Sequence, residues 1–223
     1  MTGRPAPSVL PPSLRGWLGL IATLAALVVV VLGGLYAGDS EPGTVDTRIL
    51  AAVGEPGPPW RDVALATDFL GEPTGAAALV VAAAAGCLLL RRPRAAVLVV
   101  AGTGLAVGTT KLLKPLVGRT IHDGHLSYPS GHTAFLTALA LVVVLVGTGR
   151  RPGLGRTAGT SLVLAAAAVA GAAMGWAQVA LDAHYPTDVL GGWCTALAVV
   201  PATAWLVDRT AGRLVDAGRH EPR

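Results

Sequence analysis

Charged side chains are scarce in this chain, and so are cysteine and the aromatics. Asp, Glu, Lys and Arg together make up 13% of the 223 residues, about half the share of an ordinary soluble domain. A water-exposed globular surface over most of the length is thereby excluded. The two cysteines, Cys87 and Cys194, both fall inside apolar stretches, which argues against a disulfide framework or a thiolate metal cluster. There is no internal repeat and no low-complexity tract beyond Ala/Val-rich stretches. The net charge of +4 is dispersed among connections rather than gathered into a nucleic-acid-binding patch, so its placement matters more than its sum.

What the chain has instead is hydrophobic length, at 52% of residues. Six stretches hold no Asp, Glu, Lys or Arg: 16–38, 73–90, 95–110, 129–149, 157–181 and 189–207. About 20 apolar residues cross the hydrocarbon of a bilayer. These stretches predict an all-α bundle of six transmembrane helices, at about 16–38, 73–90, 95–113, 130–149, 157–181 and 187–207. The first stretch is too long for the apolar core of a cleaved signal, and Ala37-Gly38-Asp39 is a poor cleavage context, so it is read as a span.

Charge placement orients the bundle. Arg4, Arg15, Arg91, Arg92, Arg94, Arg150, Arg151, Arg156, Arg209, Arg213, Arg219 and Arg223 fall on one side, twelve of seventeen basic residues. By the positive-inside rule that side is cytoplasmic and carries both termini, residues 1–15 and a frayed polar tail 208–223. The 39–72 connection, with seven acidic residues, then lies outside. Within it, Val63, Ala66, Phe69 and Leu70 at helical spacing suit either a short surface helix over 60–70 or an ordinary packed loop.

Three polar groups converge on the outer side. Tyr128-Pro129-Ser130-Gly131-His132-Thr133 stands at the foot of the fourth span, where free backbone N–H groups, a hydroxyl and an imidazole meet. This is either a plain helix start with Ser130 as its cap or an anion site. His184 and Asp188 flank the start of the sixth span with Pro186 between them. A carboxylate four residues on can fix the imidazole tautomer, or simply cap the helix. Lys111, Lys114 and Arg119 sit where topology disfavours positive charge. They either reach toward lipid headgroups or serve an anion.

Order and spacing resemble the type 2 phosphatidic acid phosphatase family, membrane lipid phosphatases related in fold to vanadium haloperoxidases. That family's pattern is Lys, six residues, Arg-Pro; then Pro-Ser-Gly-His; then Ser-Arg, five residues, His, three residues, Asp. Here Pro129-Ser130-Gly131-His132 is complete, and the third element keeps His184 and Asp188. The resemblance spans about 39–207. It implies catalysis by His184 as nucleophile, Asp188 as its orienting carboxylate and His132 as general acid. Phosphate binding is implied for Lys114, Arg119, Ser130 and Gly131, with further contacts open to Lys111, Gln178 and Asp182. Asp182 is read first as a turn cap, and His122 and His125 as solvated loop residues.

Two departures stand out. Ile121-His122 occupies the Arg-Pro position, with Arg119 two positions early, and Ala177-Gln178 replaces Ser-Arg. Losing one preorganised donor costs roughly 2.7–4 kcal/mol, so losing two slows a reaction by roughly four to six powers of ten. Enzymatic acceleration of phosphate-ester hydrolysis can reach about 10²¹, which leaves room for activity.

The resemblance implies a metal-independent phosphatase of a lipid-linked phosphate or pyrophosphate, with no cofactor, no nucleic acid and no obligatory protein partner. Composition and motif variants are similar to those of high-GC bacteria with polyprenyl cell-envelope lipids, which implies an inner-membrane protein with an extracytoplasmic site. The competing expectation is a lipid-phosphate binding or translocating protein that kept the pocket and lost the chemistry.

Overall fold

The computed structural model describes residues 8–149 and 155–220. Arg4, Arg150, Arg151 and Arg223, counted above for orientation, lie outside them. After a 3-10 turn (Pro12–Leu14) come α1 (Arg15–Leu35), α2 (Thr44–Val53), α3 (Trp60–Phe69), α4 (Pro73–Leu89) and α5 (Pro93–Val117). A hairpin of β1 (Thr120–Ile121) and β2 (His125–Leu126) follows, then α6 (Gly131–Thr148), α7 (Arg156–Ala180) and α8 (Pro186–His220).

Among the described residues five helices, α1, α5, α6, α7 and α8, are long and apolar enough to cross a bilayer. The 17 residues of α4 extend about 26 Å, and α4 meets α3 at a bend of 62°. Counted as one bent element, that pair is the sixth. The expected all-α bundle is therefore present, with α3 settling the 60–70 segment as a helix. Its Trp60 packs edge-on against Trp176 of α7 at 6.3 Å. One expectation fails at the C-terminus, because α8 continues to His220 instead of fraying after 207. Asp208 anchors this extension by accepting the Val9 and Leu10 N–H groups at 2.9 and 3.0 Å, and Arg209 stacks on Trp205 at 4.9 Å.

Local chemistry sets the boundaries near the polar end. Pro93 and Pro186 open α5 and α8, where their missing N–H costs nothing. Gly118 closes α5 in the left-handed region at φ 68°, a conformation that penalises a side chain. Ser130 caps α6, its hydroxyl accepting from the Thr133 N–H at 3.4 Å.

Helix α6 is central, packing against α5, α7 and α8. Leu141, Val142 and Leu145 of α6 are fully buried with Leu98 of α5 and Val200 of α8. The outer face is as apolar as the interior: Leu20, Leu24, Leu27, Val30 and Leu35 of α1 are half or more exposed. Such a surface belongs in lipid. Where lipid is the solvent, burial alone does not drive helices together, and close contact at small residues matters more. Gly192 of α8 is such a contact, since a Cβ there would overlap the Ser130 carbonyl. Gly192→Ala is expected to cost about 1–3 kcal/mol, read as a lowered thermal midpoint in detergent. An unchanged midpoint would show that the α6–α8 contact is loose.

Candidate active site

The chain turns from α5 into the hairpin at Gly118 and buries Arg119 completely. Its Nη1 donates to the Thr187 hydroxyl at 2.6 Å and to Asp188 Oδ1 at 2.7 Å, while Nη2 donates to Asp46 Oδ2 at 2.7 Å. The rings of Tyr36 and Tyr185 pack against the guanidinium at 4.2 and 4.5 Å. Burial opposes the charge, but Asp188 and Asp46 outweigh it and hold the guanidinium above its usual range.

Asp188, in the first turn of α8, is also fully buried. Its Oδ2 accepts the Tyr185 N–H at 3.1 Å and lies 3.6 Å from His184 Nδ1. That last separation is longer than a hydrogen bond, and Nδ1 has no other partner. Asp188 thus stands beside the Nδ1 edge of the imidazole. Burial lowers the His184 pKa; Asp188 opposes the shift, and Lys114 and His132 reinforce it.

His132 comes from the first turn of α6. The Ser130 N–H donates to the Asp188 carbonyl at 2.9 Å, which ties this turn to the start of α8. His184, His132, Gly131, Lys114 and Lys111 line one cavity of about 470 Å³. Val107 and Phe135 give it apolar wall. Lys114 Nζ donates to the Leu126 carbonyl at 2.8 Å, which steadies the ammonium at the rim.

Several expected phosphate contacts are placed otherwise. Arg119 faces Asp46 and Asp188 and is spent on holding carboxylates. Gln178 is buried and its amide donates to Asp68 Oδ1, so it is occupied without substrate. The Ser130 hydroxyl is buried against Thr133. Asp182 lies on the surface, paired with His122 at 3.0 Å, as a turn residue in the left-handed region at φ 55°. His125 is exposed, and Ile121 is buried.

The sequence reading missed an acidic corner. At the junction of α3 and α4, Asp68 Oδ1 and Glu72 Oε1 lie 3.6 and 3.5 Å from His132 Nε2. Gly71 packs so closely on this ring that a Cβ would overlap it. The four-residue spacing of Asp68 and Glu72 was visible, but their partner was not. Both separations are to the same ring nitrogen and are longer than a hydrogen bond. Among the described residues, these three donors, all within 4.8 Å of one another, form a group that could hold a metal ion. Asp46 was also missed, as one acidic residue among seven in its connection.

The PAP2 superfamily model matches residues 16–211. The chain belongs to the PAP2 superfamily. A crystal structure described as the first transmembrane PAP2-type phosphatidylglycerolphosphate phosphatase from Bacillus subtilis has a similar fold, with a TM-score of 0.66 and 23% identity. The match covers 86% of this chain and 96% of that one. No curated protein sequence matches. The protein therefore has the fold of a PAP2 membrane phosphatase.

The buried position of His184 generates a test. In histidine-labelled protein in micelles, with the signal assigned by His184→Ala, the ring should titrate below the ordinary value of about 6.5. Burial disfavours the charged ring, so the neutral form would persist through neutral pH. A midpoint above 7 would contradict the burial described here.

Proposed function

We propose that this protein hydrolyses a lipid-linked phosphate or pyrophosphate, polyprenyl or glycerolipid, at the extracytoplasmic face through a phosphohistidine on His184. The observation that carries this reading is that His184, backed by Asp188, opens into the same cavity as His132, Lys114 and Lys111.

In the proposed reaction the free ring nitrogen of His184 attacks phosphorus as the bond to the lipid or diphosphate oxygen breaks. His132 donates a proton to that leaving oxygen. Lys114 and Lys111 and the Gly131 N–H at the start of α6 oppose the charge on the remaining phosphoryl oxygens. Asp188 stabilises the cationic ring during transfer. Water then attacks phosphorus while giving a proton back to His132, the P–N bond breaks, and inorganic phosphate leaves with both histidines restored. The apolar wall of Val107 and Phe135 suits a lipid attached to the phosphate. Phosphatidylglycerolphosphate, named for the Bacillus subtilis protein, is one substrate class to test, beside polyprenyl phosphates and pyrophosphates, polyprenyl phospho-sugars and phosphatidic acid.

A second reading has its own support. Gln178 is bonded to Asp68 and Ile121 is buried, so neither supplies the positive charge that the family pattern has at its position. This favours a protein that binds or moves lipid phosphates without cleaving them.

Phosphate release by purified protein in detergent, with and without a chelator, separates the two. The phosphatase reading expects release from at least one lipid class, loss of release in His184→Ala, and a fall of about 10³–10⁴-fold in Asp188→Asn. Activity unchanged by chelator supports metal independence, whereas loss reversed by a divalent ion would implicate the Asp68–Glu72–His132 group. Lipid-phosphate binding with no release from any class would favour the second reading.

A further inference from the structure

Asp46 belongs to none of the motifs and sits on α2, a ten-residue helix outside the bundle, yet it is fully buried. Its carboxylate accepts four donors. The Gly43 N–H, at 3.2 Å, fixes it within its own first turn. The other three come from elsewhere: Arg119 Nη2 at 2.7 Å, the Thr187 N–H at 2.9 Å and the Thr187 hydroxyl at 3.0 Å.

The Thr187 contacts matter because α8 begins at Pro186, which has no N–H. Thr187 therefore carries the first backbone donor of that helix, and Asp46 satisfies it from another element. The next residue is Asp188. The Thr187 hydroxyl donates to Asp46 and accepts from the same Arg119 nitrogen that binds Asp188. One buried guanidinium is thus shared between two buried carboxylates. Paired with Asp188 alone, Arg119 would neutralise the carboxylate facing His184. Shared with Asp46, it leaves net negative charge in the cluster, which favours the positive charge that His184 gains on taking up phosphate.

We propose that Asp46 is a positioning residue for the reaction, fixing Asp188 behind His184 through Arg119 and Thr187 while leaving part of its charge for the imidazole. This rests on the phosphatase reading above. It gives helix α2, which packs on α7 and α8, a task in catalysis, and it makes Arg119 a member of the support rather than a phosphate ligand.

The test compares wild type, His184→Ala, Asp46→Asn, Thr187→Val, Asp188→Asn and the Asp46→Asn/Asp188→Asn double variant. Each is measured for kcat and KM on one cleaved lipid phosphate, per monodisperse folded protein. Groups that orient a functional imidazole through another residue are worth roughly 10- to 100-fold. Asp46→Asn should lower kcat by about that factor with KM within about twofold, the pattern of an interaction that acts in the transition state. In the Asp188→Asn background the same change should cost less than about twofold, because its route is already cut. Thr187→Val keeps both charges and the backbone bond, and should lower kcat by roughly two- to tenfold. It decides the matter if Asp46→Asn does not fold. Wild-type kcat in Asp46→Asn, or in Thr187→Val where only that variant folds, overturns the role of Asp46. So does an undiminished effect in the Asp188→Asn background. Absence of release in the wild type overturns the phosphatase reading and this role with it.

Discussion

A guanidinium with no access to water must find its counter-charges in place, and the polar end of this protein is arranged around that requirement. Arg119 is enclosed by two tyrosine rings and bonded to Asp46 and Asp188. Removing one partner of such a buried group typically costs 3–5 kcal/mol, because the remaining charge is stranded. The constraint therefore fixes more than one contact. It joins α2, the hairpin connection and the start of α8, three segments far apart in sequence. The Ser130 N–H on the Asp188 carbonyl then adds the start of α6. His132 and His184 face one cavity because the turns that carry them are tied to the same carboxylate residue.

The bundle below this end obeys a different rule. Its helices are apolar on both inner and outer faces, so lipid competes for every buried surface and close approach decides which helices meet. Gly192 against Ser130 and Gly191 against the Tyr128 ring are such approaches, both at the level of the site. Tyr128 in turn donates its hydroxyl to the Val29 carbonyl of α1 at 2.7 Å. Packing and polar bonding thus reinforce one another where the chemistry is proposed.

Much of this was legible in the sequence because hydrophobic length and motif order are local properties. Charge-free stretches marked the helices of the bundle, and the spacing of Ser130, His132, His184 and Asp188 brought the resemblance into view. What stayed hidden was pairing across the chain. Nothing in the 39–72 connection distinguishes Asp46, Asp68 and Glu72 from its other acidic residues until α2 and α3 are folded over the bundle. For the same reason Arg119 read as a phosphate ligand and Gln178 as a free donor. Each is a donor whose acceptor, Asp46 or Asp68, comes from that connection. The helical continuation of α8 to His220 was missed because its anchor, Asp208, bonds to residues about two hundred positions earlier.

The central claim is that phosphate passes through His184. The most direct measurement is a single-turnover reaction with a labelled lipid phosphate, quenched under alkaline conditions that preserve phosphohistidine, followed by mapping of the labelled peptide. The account predicts label on His184, absent in His184→Ala and chased into inorganic phosphate when turnover continues. Rapid phosphate release with no label on the protein, or label on another residue, would contradict it.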